Sequence, residues 1–117
     1  MTRPRPRIEG PIPVTRPLTP KQIRDDYEVN TGHAIVRRFA KLNPLHMPGV
    51  LVAGHAPFCW GASAAEAAHA AVIVEEIAAM ATVTVSANPK ARAISKHLHD
   101  KHFLRKHGAS AYYGQKK

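Results

Sequence analysis

Cysteine, aromatic rings and acids are all scarce in this chain of 117 residues. The one cysteine, Cys59, excludes an internal disulfide and suits a reducing compartment. Aromatic residues make up 6% of the chain, too few for a base-stacking surface, and no nucleic-acid motif accompanies them. Eight Asp and Glu stand against 17 Lys and Arg, and no carboxylate pair is placed for glycosidase chemistry. No apolar run reads as membrane-spanning. The Arg/Pro-rich N-terminus lacks the apolar centre of a signal peptide. These absences predict a soluble, cytoplasmic protein with no membrane partner, and they argue against nucleic acid.

What is present is a formal net charge of +9 and an apolar fraction of 44%, much of it alanine. The length allows one domain, with a thin core. The charge favours anionic partners such as phosphorylated small molecules. Arg3, Arg5, Arg7 and Arg16 form one basic cluster among prolines. Residues 90–117 form another, with eight Lys or Arg and one acid, Asp100. Residues 1–9 read as a flexible arm rich in Arg and Pro, and residues 10–117 as the structured part.

The stretch Gly49–Gly61 organises the chain. Val50, Leu51 and Val52 predict a strand over 50–55. His55 follows between Gly54 and Ala56. Pro57, Phe58 and Trp60 are expected to stop the strand and wall the imidazole. A histidine at a strand end with small neighbours suits a metal ligand or a general base. A histidine satisfied by a backbone hydrogen bond fits the spacing equally, and spacing alone leaves both open.

Around this stretch the pattern predicts three helices. The first spans 20–40: Thr19, Pro20 and Gln22 form a capping box with proline in the first turn. Ile23, Tyr27, Asn30, Ala34, Ile35 and Phe39 share one face. Glu28 and Asn30 are candidate site residues, and Glu28 also reads as an ordinary solvated acid. The second helix spans 63–86, with Ser63 and Glu66 as a second capping box. Its Ala, Val, Ile and Met content predicts burial on more than one face, so His69 reads as packing or subunit contact. The third spans 89–107, started by Asn88-Pro89 and ended by Gly108. Its His97 and His99 point about 200° apart and cannot share an ion. His99 and His102 could, but no acid or cysteine supports them there, and a basic helix facing an anion or a subunit is the better account. A short strand near 12–16 completes the reading. With only one clear central strand, unpaired sheet edges are expected.

Three stretches carry a resemblance. They are Gly54-His55-Ala56-Pro57-Phe58-Cys59-Trp60-Gly61, Lys101-His102-Phe103-Leu104-Arg105-Lys106-His107-Gly108, and Ala111-Tyr112-Tyr113-Gly114-Gln115. With Ile12-Pro13-Val14-Thr15-Arg16 and Tyr27-Glu28-Val29-Asn30-Thr31-Gly32, they resemble sugar-phosphate epimerases of the class II aldolase and adducin superfamily. The likeness runs from about Gly10 to Gln115 and covers the second half of that family's usual length. It implies an α/β fold: the C-terminal half of a three-layer α/β/α sandwich with a mainly antiparallel central sheet, helix-rich in this portion, assembled as a tetramer. It implies inversion at a carbon of a phosphorylated ketopentose through a metal-stabilised retro-aldol step, with Zn2+ or another divalent ion. By resemblance His55 is a metal ligand, Tyr113 the acid or base on one face of the substrate, and Glu28 and His102 are substrate-binding or site-supporting residues.

Several family features have no counterpart here. The other metal ligands and the phosphate-binding loops belong to the family's N-terminal half. The opposite-face aspartate would fall near Pro6, where Arg5-Pro6-Arg7-Ile8 stands. The resemblance therefore predicts an incomplete ligand set, a truncated protein inactive alone, and a need for the N-terminal half or for other copies of the chain. A non-catalytic oligomerisation or binding module of the same fold is the alternative.

Overall fold

A three-stranded knot of backbone hydrogen bonds holds the first part of the chain together. In the computed structural model, residues 8–107 are described. The chain divides into two units, Met1–Ala78 and Ala79–Lys117, each of which is described by itself. The described elements are α1 (Pro20–Arg24), α2 (Tyr27–Arg38), β1 (Gly49–Leu51), β2 (Pro57–Cys59), α3 (Ala64–Ala87) and α4 (Lys96–His107). The chain is thus helix-rich with a small antiparallel sheet, compatible with an α/β class.

β1 and β2 pair antiparallel, with Gly49 opposite Cys59, Val50 opposite Phe58 and Leu51 opposite Pro57. Pro57 and Phe58 do not stop the strand, contrary to the sequence expectation; they form its return partner. Gly54, at φ 71°, supplies the left-handed residue that reverses the chain, and the Val52 N–H donates to Ala56 O across the loop. Proline is tolerated because it opens the strand and gives up no required donor. The other edge of β1 is also occupied. The Leu51 N–H donates to Pro13 O and the Thr15 N–H to Leu51 O, a parallel bridge between Val14 and Leu51. The short strand foreseen near 12–16 is therefore this bridge, and β1 lacks the open edges expected of it.

The core of this unit forms on β1. Met47, Val50, Val52, Ala70 and Val74 are buried, with Val50 fully enclosed, and Pro13, Thr15 and Thr31 join them. Ala70 and Val74 are one helical turn apart and present one stripe of α3 inward. Gly49 lets that helix approach: a Cβ there would sit 3.1 Å from Val74 Cγ2 and 3.2 Å from Cys59 Sγ. Buried Thr15 is satisfied, its Oγ1 accepting from the Ala53 N–H at 3.1 Å.

The expected 20–40 helix is two helices. Thr19 caps α1 as read, with Gln22 completing the capping box. The chain then breaks at Asp26, a non-glycine residue at φ 52°. The Asn30 amide spans the break, donating to Gln22 O at 3.0 Å and Asp25 O at 2.6 Å. It thereby satisfies carbonyls that a continuous helix would have bonded internally. Asn30 is a structural side chain here. Ile23, assigned to the inward face, is 53% exposed because it lies before that break. Tyr27, Ala34, Ile35 and Phe39 are half-buried, as the periodicity required.

α3 differs from expectation in two ways. Only Ala70 and Val74 are buried, whereas burial on several faces was foreseen. Its 24 residues are also long and apolar enough to cross a membrane by length and composition, where the sequence reading saw no such run. Glu75 and Glu76 near its middle interrupt the run to the eye but not the average. Two ionised carboxylates there would be costly in hydrocarbon. The N-terminus of α3 is capped as foreseen, the Glu66 N–H donating to Ser63 Oγ, but the Glu66 carboxylate accepts from the Ala62 N–H and not from Ser63.

In the second unit, α3 ends at Ala87, and Asn88-Pro89 forms a turn, with the Ala91 N–H donating to Asn88 O. The helix expected from 89 begins only at Lys96. Its cap is Ser95, whose Oγ accepts from the Leu98 N–H and whose carbonyl accepts from the His99 N–H. Gly108, the foreseen C-cap, lies outside the described residues.

Candidate functional site

His55 sits at the tip of the β1–β2 hairpin because Gly54 turns the chain there. Its N–H donates to Val52 O at 3.0 Å, so the backbone of the tip is fixed independently of the ring. The ring is exposed and lies between two aromatic neighbours. Tyr27 meets it edge-on at 6.3 Å between centroids, and Phe58 lies tilted at 5.9 Å. Both are ring contacts, and among the described residues the imidazole makes no side-chain hydrogen bond. The backbone of His55, not its ring, is what the hairpin uses. This leaves the ring nitrogens available as donors or acceptors, which removes the objection that a hydrogen bond already satisfies the histidine.

Tyr27 was read from the sequence as a core-face residue only. Its role beside His55 follows from the break at Asp26, which makes Tyr27 the first residue of α2 and turns it toward the hairpin. The cue was the pair of acids Asp25-Asp26 ahead of a tyrosine, a helix-start pattern masked by the stronger one at Thr19.

Glu28 is not part of this contact. Glu28 is exposed on the first turn of α2, with no hydrogen bond or ion pair among the described residues. His102 is exposed on α4, in the other unit. Tyr113 lies outside the described residues. His69 is exposed on α3, so of its two readings, packing or subunit contact, the first does not hold within this chain's described residues. On α4, His99 Nδ1 lies 3.2 Å from Asp100 Oδ1. Its ring stacks on Phe103 at 6.1 Å. Asp100 also pairs with Lys96, and hydrogen bonds from Lys96 and then His99 hold its carboxyl below the usual carboxylate range. This arrangement staples one turn of helix.

Cys59 closes β2 with its thiol half-buried near Gly49, and burial pushes the thiol pKa up. A raised pKa is the wrong direction for a nucleophile.

A metal needs three or four converging donors. Among the described residues no group of three His, Cys, Asp or Glu side chains could hold one. The residues present do not make a metal site by themselves; His55 offers one donor.

A second feature lies at the far end of α2. A cleft of about 410 Å³ is lined by Arg16, Pro17, Leu18, Gln22, Ala34, Arg37, Arg38, Ala40 and Lys41. Arg38 Nε donates to Val14 O at 3.0 Å and so ties α2 to the 13–15 bridge.

Residues 6–82 match the family of the Class II Aldolase and Adducin N-terminal domain, and the chain belongs to that family. Curated relatives narrow the branch. The L-ribulose-5-phosphate 4-epimerase UlaF of Salmonella paratyphi B is 47% identical over 107 residues, 92% of this chain and 47% of that protein. The proteins of the same name from Salmonella paratyphi C and Salmonella choleraesuis match equally well. The chain spans about half the length of these relatives. The resemblance to sugar-phosphate epimerases is thus borne out at the level of the family, and the matched relatives are named as epimerases.

Proposed function

We propose that this chain is the C-terminal half of an L-ribulose-5-phosphate 4-epimerase, working in pentose catabolism in the cytoplasm and inactive without further polypeptide. The observation that carries the reading is the 47% identity over 92% of the chain, which includes the hairpin tip that presents His55. The reaction is a retro-aldol cleavage and re-addition that inverts C4 and gives D-xylulose 5-phosphate. In this reading His55 supplies one donor to a divalent ion, Zn2+ or a similar one, whose other donors lie on polypeptide outside this chain. Tyr27 and Phe58 support the proposal as ring neighbours of an imidazole that makes no side-chain hydrogen bond among the described residues. Tyr113 moves the proton on one face of the substrate. Glu28 and His102 support the site or bind the phosphorylated ketopentose, in a homo-oligomer of which the family's tetramer is the expected form.

The test is complementation. The purified chain alone should give no turnover of L-ribulose 5-phosphate. Mixed with an N-terminal half that carries the missing donors and phosphate loops, it should turn over. His55→Ala and Tyr113→Phe should each abolish the regained activity. Turnover by the chain alone would refute the inactivity; no activity in any mixture that forms a complex would refute the epimerase assignment.

One observation favours a second reading, a non-catalytic oligomerisation module of the same fold. Apolar residues are exposed along α3, with Val72 61% and Met80 59% exposed. Self-association by sedimentation, together with unchanged silence in every complementation mixture, would select it.

A further inference from the structure

The cleft at the C-terminal end of α2 carries four cations, Arg16, Arg37, Arg38 and Lys41, and no acid among its lining residues. From this concentration of charge we infer that it is a binding site for a small molecule bearing two linked phosphate groups, separate from the His55 site.

Three points support this. The first is charge. A helix C-terminus carries only about half a negative charge to be offset, so four cations leave roughly three in excess. That excess matches a diphosphate, each phosphate carrying about −1.5 to −2 near neutrality when terminal. The second is availability. Arg38 spends its Nε on Val14 O, but its remaining guanidinium nitrogens are not so engaged. Arg16, Arg37 and Lys41 are exposed and make no ion pair among the described residues. Within the first unit the acids of this region, Asp25, Asp26 and Glu28, sit at the opposite end of α2. The third is shape. Pro17, Leu18, Ala34 and Ala40 give the cleft an apolar floor, and about 410 Å³ accommodates an organic group beside the phosphates. Guanidinium forks bind phosphate oxygens two at a time, as they do carboxylates, so the preference for phosphate rests on the charge excess.

The site is distinct from the hairpin tip. Tyr27, which touches His55, opens α2, and Arg37 lies ten residues further on. At 1.5 Å per residue that is about 15 Å along the helix, longer than an extended pentose phosphate. None of the residues lining the cleft is among those that touch His55, namely Tyr27, Phe58 and Val52.

Titration calorimetry of the full chain at low ionic strength, with inorganic pyrophosphate as probe, tests this. Pyrophosphate should bind at least about tenfold more tightly than orthophosphate, since a second phosphate adds charge-assisted hydrogen bonds. The double variant Arg37→Gln/Lys41→Gln should weaken pyrophosphate binding by about tenfold or more while far-UV circular dichroism stays unchanged. Lys90→Gln, an exposed lysine of the second unit, should leave binding as it is. Trp60 stacks edge-on at 5.1 Å against Phe39, the residue that closes α2. Its fluorescence should therefore respond to pyrophosphate in the parent and not in the double variant. Absence of binding would overturn the assignment, as would equal affinity for the two anions or equal weakening by Lys90→Gln. Displacement of pyrophosphate by duplex DNA at far lower concentration would overturn it in favour of a nucleic-acid surface.

Discussion

Gly61→Ala should meet the tightest overlap of the glycine-to-alanine changes among the described residues, and its cost can be worked from the geometry. Gly61 lies against the first turn of α3. A Cβ there would sit 2.5 Å from Glu66 Cβ, 2.8 Å from Ala67 N and 2.9 Å from Glu66 C. Two of these three atoms are backbone, so no side-chain rotation relieves the overlap. The strand exit or the helix start must move by roughly an ångström, and overpacking of this kind costs about 1–3 kcal/mol. The same shift strains the Ala62 N–H to Glu66 carboxylate bond and the Ser63 cap, both built on those residues. A domain of this size has about 5–15 kcal/mol in total, so the variant loses a substantial fraction. The matched control is Gly32→Ala. Gly32 lies in the interior of α2 with nothing within 4 Å of the added methyl, and alanine there should stabilise by about 0.5–1 kcal/mol. Urea unfolding followed by far-UV circular dichroism measures both. The midpoints should move in opposite directions with little change in slope. Equal midpoints for the two variants would refute the packing of Gly61 against α3.

Val50→Ala should destabilise by about 2 kcal/mol, because Val50 is fully enclosed and the change removes two methylene equivalents and leaves a cavity; urea unfolding measures it. Cys59 should react with iodoacetamide more slowly at neutral pH than an unstructured cysteine peptide, and unfolding in urea should abolish the difference, because burial favours the protonated thiol. The same burial makes the sign of the stability effect definite: the fold prefers the protonated thiol, so the contribution is lost as pH rises past the ordinary thiol range. Asp100→Asn should lower the helicity of the 96–107 segment near neutral pH, since it removes the partner of Lys96 and His99. Its folded carboxyl is held below the usual range, so this stabilisation is present above that range and lost as pH falls through the lowered value. Parent and variant should then converge in acid.

Local chemistry was legible where a cap, a turn or a short hydrophobic run determined it. Thr19 with Gln22, Ser63 with the Glu66 N–H, and the strand at Val50 follow from a few adjacent residues. What was not legible depended on partners distant in sequence. The split between α1 and α2 rests on Asn30 reaching back to carbonyls at Gln22 and Asp25, a bond that no periodicity announces. Pro57, with Phe58 and Trp60, reads as a stop because proline weakens a central strand, whereas an edge strand begun by proline loses nothing. The start of α4 was misplaced because Asn88-Pro89 and Ser95 both carry helix-start chemistry and only the second is followed by a continuous helix. At the candidate site, His55 was chosen from its small neighbours, but its contact with Tyr27 depends on the same Asp26 break and could not be read before it.

The hairpin tip shows how a side chain can be placed by local structure alone. His55 is placed by a bond to Val52, three residues away, and by the Gly54 turn; the hairpin beneath it is anchored by Pro13, Thr15 and Val74, all on this chain. None of these supports requires a metal ion or a second polypeptide. A divalent ion is not held so locally, because one imidazole competes poorly with water and no group of three His, Cys, Asp or Glu side chains that could hold an ion is assembled among the described residues. Positioning is thus a local property, built from backbone hydrogen bonds within one unit, whereas coordination is a non-local one. The hairpin therefore holds His55 in place before anything binds, and such preorganisation reduces the ordering cost of whatever binds there.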